Sequence, residues 1–333
     1  MQQSNDQTTF ILKYKPYFIN DFYLNPSHIT VLKTLQEMND LNILIVGNAC
    51  SGKTSLIYAL IREYYGMNET AVFPEYNIMF INNLKEQGIQ YFRTEMKTFC
   101  QSSSGIASKK KIIVIDDIDT INEQSQQVFR NYIDKYSKNI QFISVCTNVQ
   151  KVNESLQSRL HIIKINQMTR ANLETTMNKI IVREGLRIDE DAKQFLLNIS
   201  NNSIRVLIGH LEKIFILNEP MADLLLVQNV CSNISYVQFE KYIDRLKTRD
   251  LTGAIAILYE ICDYGYSVID ILDYFFTFVK FTSSLSEVEK YRTLPLLCKY
   301  ITIFHKTHED MIELSFFTNN LMKEINKGNN VPF

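Results

Sequence analysis

Short runs of consecutive apolar residues alternate, in the first half of the chain, with stretches where apolar residues recur every three or four positions. Ile43-Leu44-Ile45-Val46, Asn77–Ile81, Lys111–Asp117, Ile140–Cys146 and His161–Ile165 are of the first kind, and their length and β-branched content predict strands. Ser27–Met38, Ser55–Tyr65, Gly88–Phe99 and Glu123–Tyr136 are of the second kind and predict amphipathic helices, the first with Ser27 as its N-cap. Strands apolar on both faces, alternating with helices, predict an α/β fold with a parallel sheet covered on both sides. After Asn166 the strand pattern stops. Helical periodicity continues through Arg170–Glu184, Asp189–Ser200, Ile204–Leu217 and Met221–Ser232, and again over 235–326, with turns near Gly265 and Ser283–Ser286. Residues 1–9 read as a disordered tail, and neither an internal repeat nor a long linker is visible.

The first strand runs into chemistry. Gly47-Asn48-Ala49-Cys50-Ser51-Gly52-Lys53-Thr54 fits G-x-x-x-x-G-K-[ST], between a strand and a helix as that motif requires. The glycines let the loop close around an oxyanion with its N–H groups inward, and the helix, which continues through Ser55, adds its positive end. Lys53 can reach the β- and γ-phosphates of ATP, and the Thr54 hydroxyl can sit on Mg²⁺. A phosphate loop needs an acid for its metal. Asp116, after Ile112-Ile113-Val114-Ile115, supplies it, and Asp117 is placed to orient or deprotonate a water. The bland alternative is that Asp116, Asp117 and Asp119 cap the next helix. Ligands of such sheets bind beyond the carboxyl ends of the strands. Gly47, Asp116 and Asn148 all fall at such ends, so three separate stretches are expected to meet in one cleft.

Composition narrows the class without naming it. The 333 residues suffice for two or three domains, and 46% hydrophobic with 21% charged residues describes a soluble globular chain. No apolar run is long enough to span a bilayer, and the polar start lacks a secretory signal pattern. The six cysteines are scattered without a C-x-x-C pair. This predicts buried thiols in a reducing intracellular compartment and argues against zinc. A net charge of −1 argues against a generally basic nucleic-acid binder but permits a locally basic face.

Taken in order, the motifs resemble one family, the small subunits of replication factor C, which are AAA+ loaders of the sliding clamp. The likeness runs from about Phe10 to Met322. Phe10-Ile11-Leu12-Lys13-Tyr14-Lys15-Pro16 is similar to the family's W-V-E-K-Y-R-P box, which implies Ile11 and Tyr23 beside the adenine. Ile78–Phe99 keeps Asn82, Gly88, Ile89, Arg93, Lys97 and Phe99 in step with the family. Asp116-Asp117-Ile118-Asp119 stands at D-E-A-D, and Val128-Phe129-Arg130 resembles A-L-R-R. Cys146-Thr147-Asn148 resembles the sensor-1 box. Leu156-Gln157-Ser158-Arg159-Leu160 resembles L-Q-S-R-C, which makes Arg159 the finger acting in trans on a neighbour. Asn202-Ser203-Ile204-Arg205 stands at G-D-M-R, which makes Arg205 the sensor-2 residue. Gly265–Ile271 resembles the G-Y-S-x-x-D-I segment of the collar.

The resemblance implies an AAA+ P-loop core over 1–166, a helical lid domain over 167–234 and an all-helical collar over 235–333. It implies ATP and Mg²⁺ as cofactors, with Gly47 through Ser55, Asn148 and Arg205 on the nucleotide, Thr54 and Asp116 on the metal, and Asp117, Asn148 and Arg159 as catalytic residues. The implied partners are the other subunits of a hetero-pentamer, a PCNA-like sliding clamp and primer-template DNA bound without regard to sequence, with no membrane. Arg93 and Lys97, four apart on one helix face, are the candidate DNA contacts; a solvated basic face is the alternative. The setting would be a nucleus, or a viral replication site, in a large DNA virus or an AT-rich eukaryote.

Three readings stay open. One is an active motor subunit. One is an ATP-binding structural subunit with little hydrolysis of its own, since Asp117 replaces Glu and is one methylene shorter. The third is another AAA+ replication or remodelling ATPase. Spacing alone also leaves Arg159 free to pair with a carboxylate on its own surface.

Overall fold

In the computed structural model the chain is described over residues 8–81, 89–232, 234–306 and 310–326, with backbone only for 89–93. The expected tail therefore lies almost wholly outside the described residues. Two compact units form: Met1–Thr175 with Asn202–Ile208, and Thr176–Asn201 with Gly209–Phe333.

The first unit holds, in chain order, α1 (Phe10–Lys13), α2 (Pro26–Glu37), β1 (Ile43–Gly47), α3 (Lys53–Tyr65), β2 (Ile78–Ile81), α4 (Ile89–Gln101), β3 (Lys111–Ile115), α5 (Glu123–Tyr136), β4 (Ile140–Cys146), α6 (Glu154–Gln157) and β5 (His161–Ile165). The five strands form one sheet in the order β2-β3-β4-β1-β5, and every pairing is parallel. The expected fold class is borne out.

Period-two alternation sends strand residues to opposite faces. Ile43, Ile45, Ile112, Val114, Ile143 and Val145 pack with Leu32 and Leu35 of α2 and with Leu56, Leu60 and Tyr64 of α3. Leu44, Ile113, Ile115, Phe142 and Cys146 pack with Met96 of α4, Phe129 and Ile133 of α5, and Leu156 of α6. Each such side chain removed from water contributes about 1.5–3 kcal/mol. β4 is buried along its whole length, as a central strand of a doubly covered sheet must be.

One helix start differs from expectation. α2 begins at Pro26, and its N-cap is Asn25, whose side chain accepts from the Ser27 N–H. Proline suits the first helical position because its missing N–H would be unpaired there anyway. Ser27 is therefore inside the helix.

The rest of the chain is helical: α7 (Arg170–Glu184), α8 (Glu190–Ile199), α9 (Ile204–Leu217), α10 (Leu224–Cys231), α11 (Tyr236–Lys247), α12 (Leu251–Asp263), α13 (Val268–Phe281), α14 (Glu287–Lys306) and α15 (Met311–Asn326). In the second unit α8 lies against α10, and α11 lies against α12, α13 and α15. Phe239, Tyr242, Phe275, Phe278 and Phe317 are buried there. The Tyr242 hydroxyl donates to Thr318 Oγ1 at 3.2 Å, so its polar end is paired inside the aromatic core. No described helix is long and apolar enough to cross a membrane.

Candidate functional site

The loop from β1 to α3 is held open by its backbone. Gly52, with φ +87°, caps α3 in the left-handed region, where a β-carbon is costly. Gly47 is set by space instead: a β-carbon would come 2.8 Å from the Ile165 carbonyl and 2.8 Å from Ser51 Oγ. Cys50 also takes a positive φ of 59°, so the loop carries strain at a non-glycine position, as functional loops do. Within it Lys53 is only 7% exposed. Its ammonium donates to the Gly47 and Asn48 carbonyls, both at 2.8 Å. Asn48, Ala49 and Thr54 are exposed, and Ser51 and Ser55 half-buried.

The acid stands across from the loop. Thr54 Oγ1 and Asp116 Oδ2 are 3.5 Å apart, joining residues 62 positions apart in sequence. Burial first, and the neighbouring Asp117 carboxylate second, push Asp116 above the ordinary aspartate range. This is a carboxylate short of positive charge, and with the Thr54 hydroxyl it presents oxygen ligands of the kind Mg²⁺ takes. Among the described residues no group of three His, Cys, Asp or Glu could hold a metal unaided. Asp117 is exposed and left-handed, with φ 48° and ψ 50°.

The Asp119 side chain does not cap a helix. Its Oδ2 accepts from Thr147 N at 3.1 Å, Thr147 Oγ1 at 2.7 Å and Asn148 N at 2.9 Å. Burial alone would raise this carboxyl, but the bonds from Thr147 and Asn148 outweigh it and hold Asp119 below the ordinary range. The Asn148 side-chain oxygen accepts from Gln150 N at 2.9 Å. The expected meeting of three strand ends thus takes a definite form: Thr54 with Asp116, and Asp119 with the tip of β4.

Gln126 was legible only as a polar residue on the apolar face of α5. It is 1% exposed. Its two amide protons are shared among the carbonyls of Ile118, Ile121 and Lys151 at 3.0–3.3 Å, and its oxygen accepts from Asn153 N at 2.7 Å. The turns after β3 and β4 are therefore pinned to one side chain.

Arg159 has partners on its own subunit. Nε donates to Asp134 Oδ1 at 2.5 Å and Nη1 to the Ser155 carbonyl at 2.6 Å. Arg130 Nε lies 3.7 Å from the other Asp134 oxygen. The Arg159 hydrogen bond, and then its charge, lower the Asp134 carboxyl.

Ile11 and Tyr23 are exposed. Phe22, next to Tyr23, is the neighbour that a β-carbon on Gly52 would meet, at 3.7 Å, so this segment runs beside the phosphate loop. Arg205 is exposed in the first turn of α9, and its segment Asn202–Ile208 belongs to the same compact unit as the loop. Before it, Asn201 and Asn202 both take positive φ, 46° and 58°. Asparagine tolerates that conformation better than most residues, so the turn before Arg205 forms without glycine. Lys97 is exposed. The Arg93 side chain, with Asn82 and Gly88, lies outside the described residues. Of the six thiols, Cys100, Cys146 and Cys231 are buried as expected, whereas Cys50 and Cys298 are exposed and Cys262 is intermediate. Burial pushes the Cys146 thiol up to about 12.

Fold and loop together describe a P-loop nucleotide-binding domain, and residues 43–167 match the ATPase family associated with various cellular activities (AAA). Two mutants of Thermotoga maritima RuvB share the fold at TM-scores of 0.51 and 0.50, 12% identical, covering 70% of this chain and 79% of theirs. The chain is similar to replication factor C small subunits, as its motifs led us to expect. It is 25% identical to a putative replication factor C small subunit of Acanthamoeba polyphaga mimivirus, over 96% of this chain and 98% of that one. It is 29% identical to replication factor C subunit 3 of Schizosaccharomyces pombe over 61% of this chain, and 26% identical to subunit 3 of Saccharomyces cerevisiae over 63%. These two matches span only 58% and 61% of the yeast proteins' own lengths.

Proposed function

We propose that this chain is a subunit of a clamp loader that uses ATP binding and hydrolysis to open a PCNA-like ring and load it onto primed DNA. The observation that carries the nucleotide part is the approach of Thr54 to Asp116 at 3.5 Å, beside a loop whose Gly52 takes the left-handed conformation that opens α3. The near full-length likeness to a replication factor C small subunit supports the loading part. Lys53 and the loop N–H groups would take the phosphates, with Arg205 at the γ-phosphate and Ile11 and Tyr23 at the base. Thr54 and Asp116 would hold Mg²⁺, which when bound neutralises charge on the β- and γ-phosphates. Asp117 would orient or deprotonate the water with Asn148. Arg93 and Lys97 would touch DNA phosphates, giving sequence-independent, salt-sensitive binding.

The three-part division into core (1–166), lid (167–234) and collar (235–333) belongs to the same reading, the collar joining the chain to other loader subunits in a hetero-pentamer. The setting is a site of DNA replication, nuclear or viral. The test is the DNA- and clamp-stimulated ATPase of the assembled complex with Lys53→Ala; an unchanged rate would remove this site from the hydrolysing set.

A second reading rests on Asp117 and on the half-exposed Arg159–Asp134 pair. Such a pair opens cheaply, so Arg159 can leave Asp134 for a neighbour's nucleotide. As a mainly structural subunit lending its arginine, the chain would lose more complex turnover with Arg159→Ala than with Asp117→Ala. The opposite order would favour the motor.

A further inference from the structure

We propose that Asp119 is the positioning residue for Asn148, fixing the candidate sensor amide against the acid-bearing loop. The inference deepens the ATPase reading and rests on it. The ladder between β3 and β4 ends at Ile115 opposite Ser144. Beyond that pair, among the described residues, no main-chain hydrogen bond joins the segments that carry Asp116 and Asn148 to each other. Besides the Gln126 amide farther along both turns, one carboxylate oxygen links them. Asp119 Oδ2 gathers the Thr147 N–H, the Thr147 hydroxyl and the Asn148 N–H within 2.7–3.1 Å, across 28 and 29 residues of sequence. Hydrogen bonds to an ionised acceptor are short and strong, and three converging on one oxygen fix a direction as well as a distance.

The Asn148 amide is then oriented from its other end. Its Oδ1 is occupied by the Gln150 N–H, which leaves the Nδ2 protons as the donor for a phosphate oxygen or the attacking water. Asp119 itself lies in a short 3₁₀ turn, Ile118–Thr120, that follows directly on Asp116 and Asp117. A displacement of the acid loop therefore carries the β4 tip with it. Without the tether, substrate would still enter the loop formed by Gly47–Thr54, but the amide would be misplaced by a fraction of its reach, and errors on this scale cost catalysis far more than binding.

The experiment uses the full chain, in its assembled complex for turnover. In Asp119→Ala, turnover should fall about tenfold to a hundredfold while affinity for a non-hydrolysable ATP analogue with Mg²⁺ stays within about threefold. Thr147→Val, which removes one of the three donors and keeps the shape, should lose only part of this. Because Asp119 acts through Asn148, Asp119→Ala in an Asn148→Ala background should cost less than about twofold more. Losses that multiply as for independent residues, or affinity falling in step with turnover, would overturn the proposal. Amide hydrogen exchange supplies a readout that does not need hydrolysis. The Thr147 and Asn148 amides should exchange faster in Asp119→Ala, and unchanged exchange would overturn the tether whatever the ATPase shows. Turnover that ignores Lys53→Ala would instead sink the ATPase reading and leave the exchange result to decide the tether.

Discussion

The Lys53→Ala protein binds ATP at least about a hundredfold more weakly than its parent, and keeps its fold. The magnitude follows from the present partners of the lysine. Its ammonium is nearly buried and shares its charge with two neutral carbonyls, Gly47 and Asn48, at 2.8 Å. The ammonium is charged against either acceptor, but phosphate oxygens add a full negative charge where a carbonyl adds only a dipole, and truncating one partner of such a desolvated, hydrogen-bonded charge pair costs roughly 2–5 kcal/mol. A loss of about 3 kcal/mol is near two orders of magnitude in affinity. The fold survives because removing the cation also removes the cost of burying it. Titration calorimetry with ATP and Mg²⁺ decides the matter; an affinity within about threefold of the parent would mean that Lys53 stays on its carbonyls when nucleotide is bound.

The second large effect is structural. Gln126→Leu destabilises the first compact unit by about 3 kcal/mol and lowers its melting temperature by roughly 10 °C. Leucine fits the volume but leaves the Asn153 N–H and the carbonyls of Ile118, Ile121 and Lys151 without their side-chain partner. Stripping one partner costs more than the bond itself contributed, since the groups left behind are desolvated and unpaired. Gln126→Glu is the control: it keeps an acceptor for Asn153 and loses the donors. A loss under about 1 kcal/mol for leucine would show that water replaces the amide at these turns.

The sheet was readable because its strands are buried on both faces. Ile140–Cys146 and His161–Ile165 coincide with β4 and β5; continuous apolar runs between helical periods leave little else for them to be. The places of the phosphate loop, Asp116 and Asn148 at strand ends were readable from the apolar runs that precede them. Asp119, Gln126 and Asp134 were not. Asp119 looked like one more acid in a cap, because its partners stand 28 residues on. Gln126 announced itself only by sitting where α5 wants an apolar residue. Asp134 is an ordinary charge on an amphipathic helix until Arg159 folds beside it. Local spacing predicts what a residue can do with its own helix turn or strand. It is silent about which distant backbone needs a partner, and the contacts of these three residues are of that kind. The N-cap of α2 shows the reverse case, where a local rule fitted Ser27 but the proline before it had already set the helix start.

One contact in the phosphate loop involves almost no side chain. The Ile165 carbonyl stands where Gly47 would place a β-carbon, and Ile165 is the last residue of β5 before the chain passes to its helical remainder. The first residue of the loop and the exit from the sheet therefore share a single main-chain gap. A shift of the backbone at that exit presses on the loop directly, with no rotamer to absorb it. Such a linkage is close to invisible to sequence drift. Side chains elsewhere can change and leave the link intact, provided that one glycine keeps its place.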